Sequence, residues 1–183
     1  AKEAETSPRG LVWPPLPHGD NAGWERVQKV GSFFFRHMAT CGAGIPKDKP
    51  IEMGTYPYPI FVVYGTQTPD SVYAITKAMI TGYDIYKDAA AGAVGLAADK
   101  QTKKWVVPVH AGAVKALKEA GQWSDDQEAH NNALFKRQTV LAAAWADFGK
   151  ASPPSDDKEF LAAWMKARAA ALQKAGMTNG FDD

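Results

Sequence analysis

The stretch "GTYPYPIFVVYG", Gly54 to Gly65, decides how this chain is read. Pro57 and Pro59 hold the two tyrosines extended, because proline pins φ and disfavours helix in the residue before it. Five apolar residues follow, Ile60 to Tyr64, rich in β-branched and aromatic types. Such a run, closed by a glycine, predicts a buried strand. A strand apolar on both faces needs neighbours on both edges. The chain offers few: parts of 11–13, 33–40 and 105–109. The expected sheet is therefore incomplete. The tyrosines before the strand suit a connection between domains, from which their hydroxyls can reach a cleft.

Downstream, "TPDSVYAITKAMI" predicts a helix. Thr68 caps it, Pro69 takes the first helical position, and Asp70 suits the positive end of the dipole. Val72, Ile75, Ala78 and Met79 share its apolar face. A shorter helix is expected over 83–90, followed by a small-residue loop to about residue 104. In "KKWVVPVHAGAVKALKEAG" an apolar run stops at Pro108, and a helix runs from about Ala111 to Ala120. Gly121 supplies its left-handed stop. Ser124 and Gln127 make a capping-box pattern for a long helix carrying Leu134, Leu141, Trp145 and Phe148. "ASPPSDD" breaks it, and a last helix spans about Lys158 to Ala175.

Upstream the order is looser. Residues 1–9 read as a lead-in. In "WPPLPH" three prolines in four positions make a rigid loop that carries Trp13 and His18. Asp20 or Asn21 can cap the helix "GWERVQKV", with Trp24, Val27 and Val30 on one face. The glycine- and proline-rich segment 31–59 reads as irregular, with a short strand or turn around 33–40.

Composition narrows the function. With 21 basic and 20 acidic residues the formal charge is +1, so no broad electrostatic footprint for nucleic acid is expected. One cysteine, Cys41, excludes a disulfide within the chain. No run of roughly 18 apolar residues exists to span a membrane. The polar start "AKEAETSPRG" lacks the apolar centre of a signal peptide, which fits either a cytosolic protein or a processed or truncated product.

No phosphate-loop, dinucleotide, zinc or nucleophile-elbow pattern is present. Cys41, four residues from His37, has two readings: an inert half-buried thiol, or a nucleophile activated by a histidine. His110 has two as well, a backbone cap or a ligand contact at the C-terminal end of a strand. Trp13 and His18 on their stiff loop either wall a pocket or plug a core edge.

The order "GTYPYP", strand, "DSVYAITKAM", "WVVPVHAGAVKALKEAG", long helix resembles the C-terminal half of a solute-binding protein of TRAP transporters, the TAXI group. The resemblance runs from about Gly10 to Phe148. Where that group usually shows His-Pro-Gly-Ala at the joint, this chain has Ala111 in place of proline. The resemblance implies an α/β fold, part of the type II periplasmic-binding-protein architecture with incomplete lobes and a helix-rich C-terminal portion. Residues 1–53 would end lobe two, 54–66 would be the crossover strand, and 67–183 would return to lobe one with the C-terminal helices. About half of a normal member would lie upstream of Ala1.

The resemblance also implies a periplasmic, non-enzymatic protein without cofactor or metal. It would bind a small carboxylate such as glutamate or a dicarboxylic acid and deliver it to a membrane permease. Trp13, His18, Tyr56 and Tyr58 are the expected ligand-binding residues. The competing reading is a structural subunit that pairs with another polypeptide, either its own missing N-terminal half or an unrelated partner. The alanine-rich C-terminal helices fit that reading.

Overall fold

The computed structural model describes residues 6, 8–45, 48–57, 60–90 and 92–179. They fall into two units, Ala1–Tyr58 and Pro59–Asn179. The fold is mixed: about half of the described residues are helical, and one small sheet lies among them.

In the first unit, α1 spans Asn21–Val30. The Asp20 carboxylate accepts the Gly23 N–H at 2.8 Å, satisfying a donor the helix leaves open. Strands β1 (Phe35–Ala39) and β2 (Ile51–Thr55) pair antiparallel, with His37 opposite Met53. The short strand expected around 33–40 is thus present. Its partner β2 falls in the segment expected to be irregular. Of the expected apolar face of α1, Trp24 is buried, while Val27 and Val30 are exposed. Gly54 explains where Trp24 goes: the indole lies 3.2 Å from the place a Cβ would occupy. The proline loop is tied to the sheet by Leu16 N–H, which donates to the Glu52 carbonyl at 2.7 Å.

The second unit holds α2 (Pro69–Thr81), α3 (Tyr83–Tyr86), two 3-10 turns (Ala93–Leu96 and Ala98–Lys100), α4 (Ala111–Glu119), α5 (Asp125–Lys150) and α6 (Asp157–Lys174). The expected caps form. Thr68 accepts the Ser71 N–H, and Ser124 and Gln127 bond reciprocally. Gly121 is left-handed at φ 66°. The helix expected over 83–90 is only the single turn α3, followed by bends.

Helices α2 and α4 pack closely, burying Val72, Val114, Ala116 and Leu117. Gly112 permits the approach: a Cβ there would sit 2.8 Å from Tyr73 N and would strike the Pro69 carbonyl oxygen. Helices α5 and α6 form a hairpin around the fully buried Leu172. At one end Trp145, Phe148, Phe160 and Trp164 interlock, with the two indoles 4.8 Å apart and nearly perpendicular. Toward the C-terminus, Arg137 donates to the Thr178 and Asn179 carbonyls at 2.6 and 2.7 Å. The buried Arg168 also donates to Asn179.

One expectation fails. Ile60–Tyr64 is not a strand and is not buried. Phe61, Val62 and Tyr64 are 71, 73 and 81% exposed. Among the described residues, Ile60–Val63 make no backbone-to-backbone hydrogen bond. A strand exists only where an edge is offered. Of the three segments expected to supply one, 11–13 is irregular and β1 is paired with β2. Segment 105–109 is irregular, and its Val109 is held by a side chain.

Candidate functional site

A shallow concave surface lies between the apolar run and the first turns of α2. Val62, Val63, Tyr64, Gln67, Ser71, Val72 and Ile75 line a groove of about 510 Å³. That volume falls in the range of small-molecule sites, about 300–1,000 Å³. Its chemistry is apolar, with the Gln67 amide and Ser71 hydroxyl as polar groups and no charged side chain in the lining. The Ser71 hydroxyl already accepts from Thr68 Oγ1 at 2.8 Å. The groove is therefore suited to apolar surface rather than to a carboxylate.

His110 caps α4. Its Nδ1 accepts the Gly112 N–H at 3.1 Å, so the ring serves the helix end. The backbone-capping reading of His110 holds. Further along the α2–α4 contact, the Tyr73 hydroxyl donates to Glu119 Oε2 at 2.7 Å, and Lys77 Nζ reaches both at 2.7 and 3.1 Å. Lys115 sits over the Tyr73 ring, 4.3 Å from its centroid. The hydrogen bond from Tyr73, then that from Lys77, holds the Glu119 carboxyl below the usual carboxylate range. Tyr73 and then Glu119 raise the Lys77 ammonium above its ordinary value. The cluster joins two helices and faces solvent.

Of the residues expected to bind ligand, Trp13, His18 and Tyr56 are described in the first unit, and the ring nitrogens of Trp13 and His18 have local partners. Trp13 Nε1 donates to the Ala43 carbonyl at 2.7 Å. His18 Nε2 donates to the Met53 carbonyl at 3.1 Å, and Nδ1 lies 3.8 Å from Glu52. The His18 ring meets Trp24 edge-on at 6.0 Å. Tyr56 packs edge-on against Phe33 and Phe34. Tyr58 lies outside the described residues. His18 is thus joined to β2 and α1, whereas the contacts of Trp13 and Tyr56 run elsewhere. Cys41 is exposed, and no described hydrogen bond or ion pair links it to a histidine.

Sequence reasoning passed over Asn131. This buried side chain on α5 accepts the Val109 N–H at 2.7 Å and donates to the Val109 carbonyl at 3.1 Å. His130, beside it, donates from Nε2 to the Trp105 carbonyl at 2.6 Å. The only signal in the sequence was a pair of polar residues, His130 and Asn131, early in a long helix.

Among the described residues, no group of three or more His, Cys, Asp or Glu side chains is placed to hold a metal ion. Among them, too, no helix is long and apolar enough to cross a membrane. No curated protein and no solved structure matches the chain. A family model does match, over residues 24–121, just over half of the 183-residue chain. The matched span opens on Trp24, buried against Gly54, and closes on Gly121, the left-handed stop of α4. It takes in the β1–β2 sheet and the Gly112 joint of α2 with α4, and on this evidence the chain belongs to the NMT1-like family, which is of the periplasmic-binding-protein type.

Proposed function

We propose that this chain is part of a solute-binding protein of a TRAP-type transport system. In this reading it takes a small carboxylate, glutamate or a dicarboxylic acid, in the periplasm. It hands that solute to a membrane permease without changing it chemically. The observation that carries the reading is the family match over 24–121. The motif order from "GTYPYP" to "WVVPVHAGAVKALKEAG" supports the TAXI group in particular. Residues 1–53 then belong to the end of lobe two, 54–66 to the crossover, and 67–183 to lobe one. Trp13 supplies a pocket wall, and His18, Tyr56 and Tyr58 supply polar contacts.

Thermal unfolding of the purified chain against a panel of organic acids and amino acids tests this. A ligand at a hundredfold excess over its Kd should stabilise the chain by about 2.7 kcal/mol, and mass spectrometry should recover it unchanged. Substituting Trp13, Tyr56 and Tyr58 together should weaken that ligand. Unaltered affinity in the triple variant would remove these residues from the site. No stabilisation by any acid in the panel would count against solute binding altogether.

A second reading is favoured by one observation. The exposed run Ile60–Tyr64, together with its uncharged groove, is a surface fit for another polypeptide. In that reading the chain is an interaction subunit.

A further inference from the structure

Two arginines of the α5–α6 hairpin meet on one residue. Arg137 of α5 donates to the Thr178 carbonyl at 2.6 Å and, from its other terminal nitrogen, to the Asn179 carbonyl at 2.7 Å. Arg168 of α6 donates to the same Asn179 carbonyl at 3.0 Å and to the Asn179 side-chain oxygen. One carbonyl oxygen thus serves guanidiniums from two paired helices. Arg168 is 8% exposed, and burial pushes the Arg137 guanidinium below its ordinary value.

The charge around them is one-sided. Residues 129–146 and 160–179 carry Lys136, Arg137, Lys166, Arg168 and Lys174, and no aspartate or glutamate. The whole chain is balanced to +1, so this excess is local. No charged residue stands three or four positions from either arginine, where a partner on the same helix would sit. The oxygens that the two forks grip at Thr178 and Asn179 are amide oxygens. Bonds from a guanidinium to an ionised oxygen are roughly twice as strong as those between neutral groups. The fork also matches a carboxylate or phosphate through paired bonds.

A chain reversal brings the amide oxygens there. Gly176 is left-handed at φ 69°, and Met177 N–H donates back to the Leu172 carbonyl at 2.8 Å, which ends α6. Thr178–Asn179 is then laid as a strap on the two guanidiniums.

We propose that Arg137 and Arg168 form a site for a small oxyanion of two negative charges, a dicarboxylate or a phosphate. The strap Thr178–Asn179 fills that site until the anion displaces it. The site lies outside the matched span 24–121 and shares no residue with Trp13, His18, Tyr56 and Tyr58. It does not rest on solute transport.

Isothermal titration calorimetry of the full chain at low ionic strength tests it, with inorganic phosphate and succinate as separate probes. Circular dichroism checks the folding of each variant. At least one probe should bind, one anion per chain, and the one that binds identifies the source. Arg137→Gln should weaken that anion by about tenfold or more. Arg168→Lys keeps the buried charge but loses the fork, and should weaken it too. Asn179→Gly loosens the strap and leaves both arginines in place. It should tighten binding by roughly threefold or more, because apparent affinity scales with the fraction of sites that are open. Asp182→Asn with Asp183→Asn removes the next acids along the chain and should not weaken binding. No binding of either probe to the wild type and to Asn179→Gly would overturn the proposal. So would a folded Arg137→Gln chain that binds as tightly as the wild type. An Asn179→Gly chain that binds no tighter than the wild type would overturn it as well.

Discussion

The amide of Asn131 meets Val109 as a neighbouring strand would, giving one acceptor and one donor to a single extended residue. Both bonds lie at a buried side chain, so losing them leaves backbone groups poorly solvated. Asn131→Ala should therefore destabilise the chain by about 2–3 kcal/mol, read from urea unfolding. Asn131→Asp keeps the acceptor but turns a carboxylate oxygen toward the Val109 carbonyl, so it should cost a similar amount at neutral pH. A loss below about 0.5 kcal/mol in both would mean that the segment before α4 is held by something else. None of this was legible in the sequence. The partners are 22 residues apart, and an asparagine inside a helical run carries no local mark of its partner. His110 was legible, because a cap is decided by residues within one turn.

At the scale of elements, the same distinction explains what could be read. The helix starts at Asp20, Thr68 and Ser124 depend on neighbours two or three residues away, and all three form as expected. Strand β2 was hidden because "IEMGT" is short, holds a glycine and sits between prolines. The helix pair α2–α4 carries a pH dependence of known sign. The folded-state value of Glu119 is depressed, so its contribution is present above the ordinary carboxylate value. It is lost as pH falls through the lower, folded value. The Lys77 value is raised, so its contribution holds up to the ordinary lysine value and is lost as pH rises through the folded one. Glu119→Gln should lower the midpoint of thermal unfolding at neutral pH, and the two proteins should converge in acid. A gap that persists unchanged into acid would show that the carboxylate charge is not what joins the helices.

At the scale of the whole molecule, the chain belongs to the NMT1-like family and its mixed helix–sheet character is compatible with an α/β fold, but the buried sheet expected around Ile60–Tyr64 is not there. The apolar run itself was legible as a strand former. Whether it becomes a strand depends on an edge that no local pattern can supply, and the described residues do not supply one. Burial was likewise over-read in Val27, Val30 and Ile75, whose helical spacing is regular but which remain open to solvent. In the proline loop, Trp13 and His18 use their ring nitrogens to fasten the segment to neighbouring backbone.

The tryptophans of this chain are divided between its units: Trp13 and Trp24 in the first, Trp105, Trp123, Trp145 and Trp164 in the second. Of these, Trp145 and Trp164 stand close enough for their electronic transitions to couple. The α5–α6 hairpin therefore carries its own chromophore pair, and its circular-dichroism couplet would vanish when the hairpin opens, whatever the first unit does. The chain holds an internal optical label, placed where no residue need be replaced or dye attached.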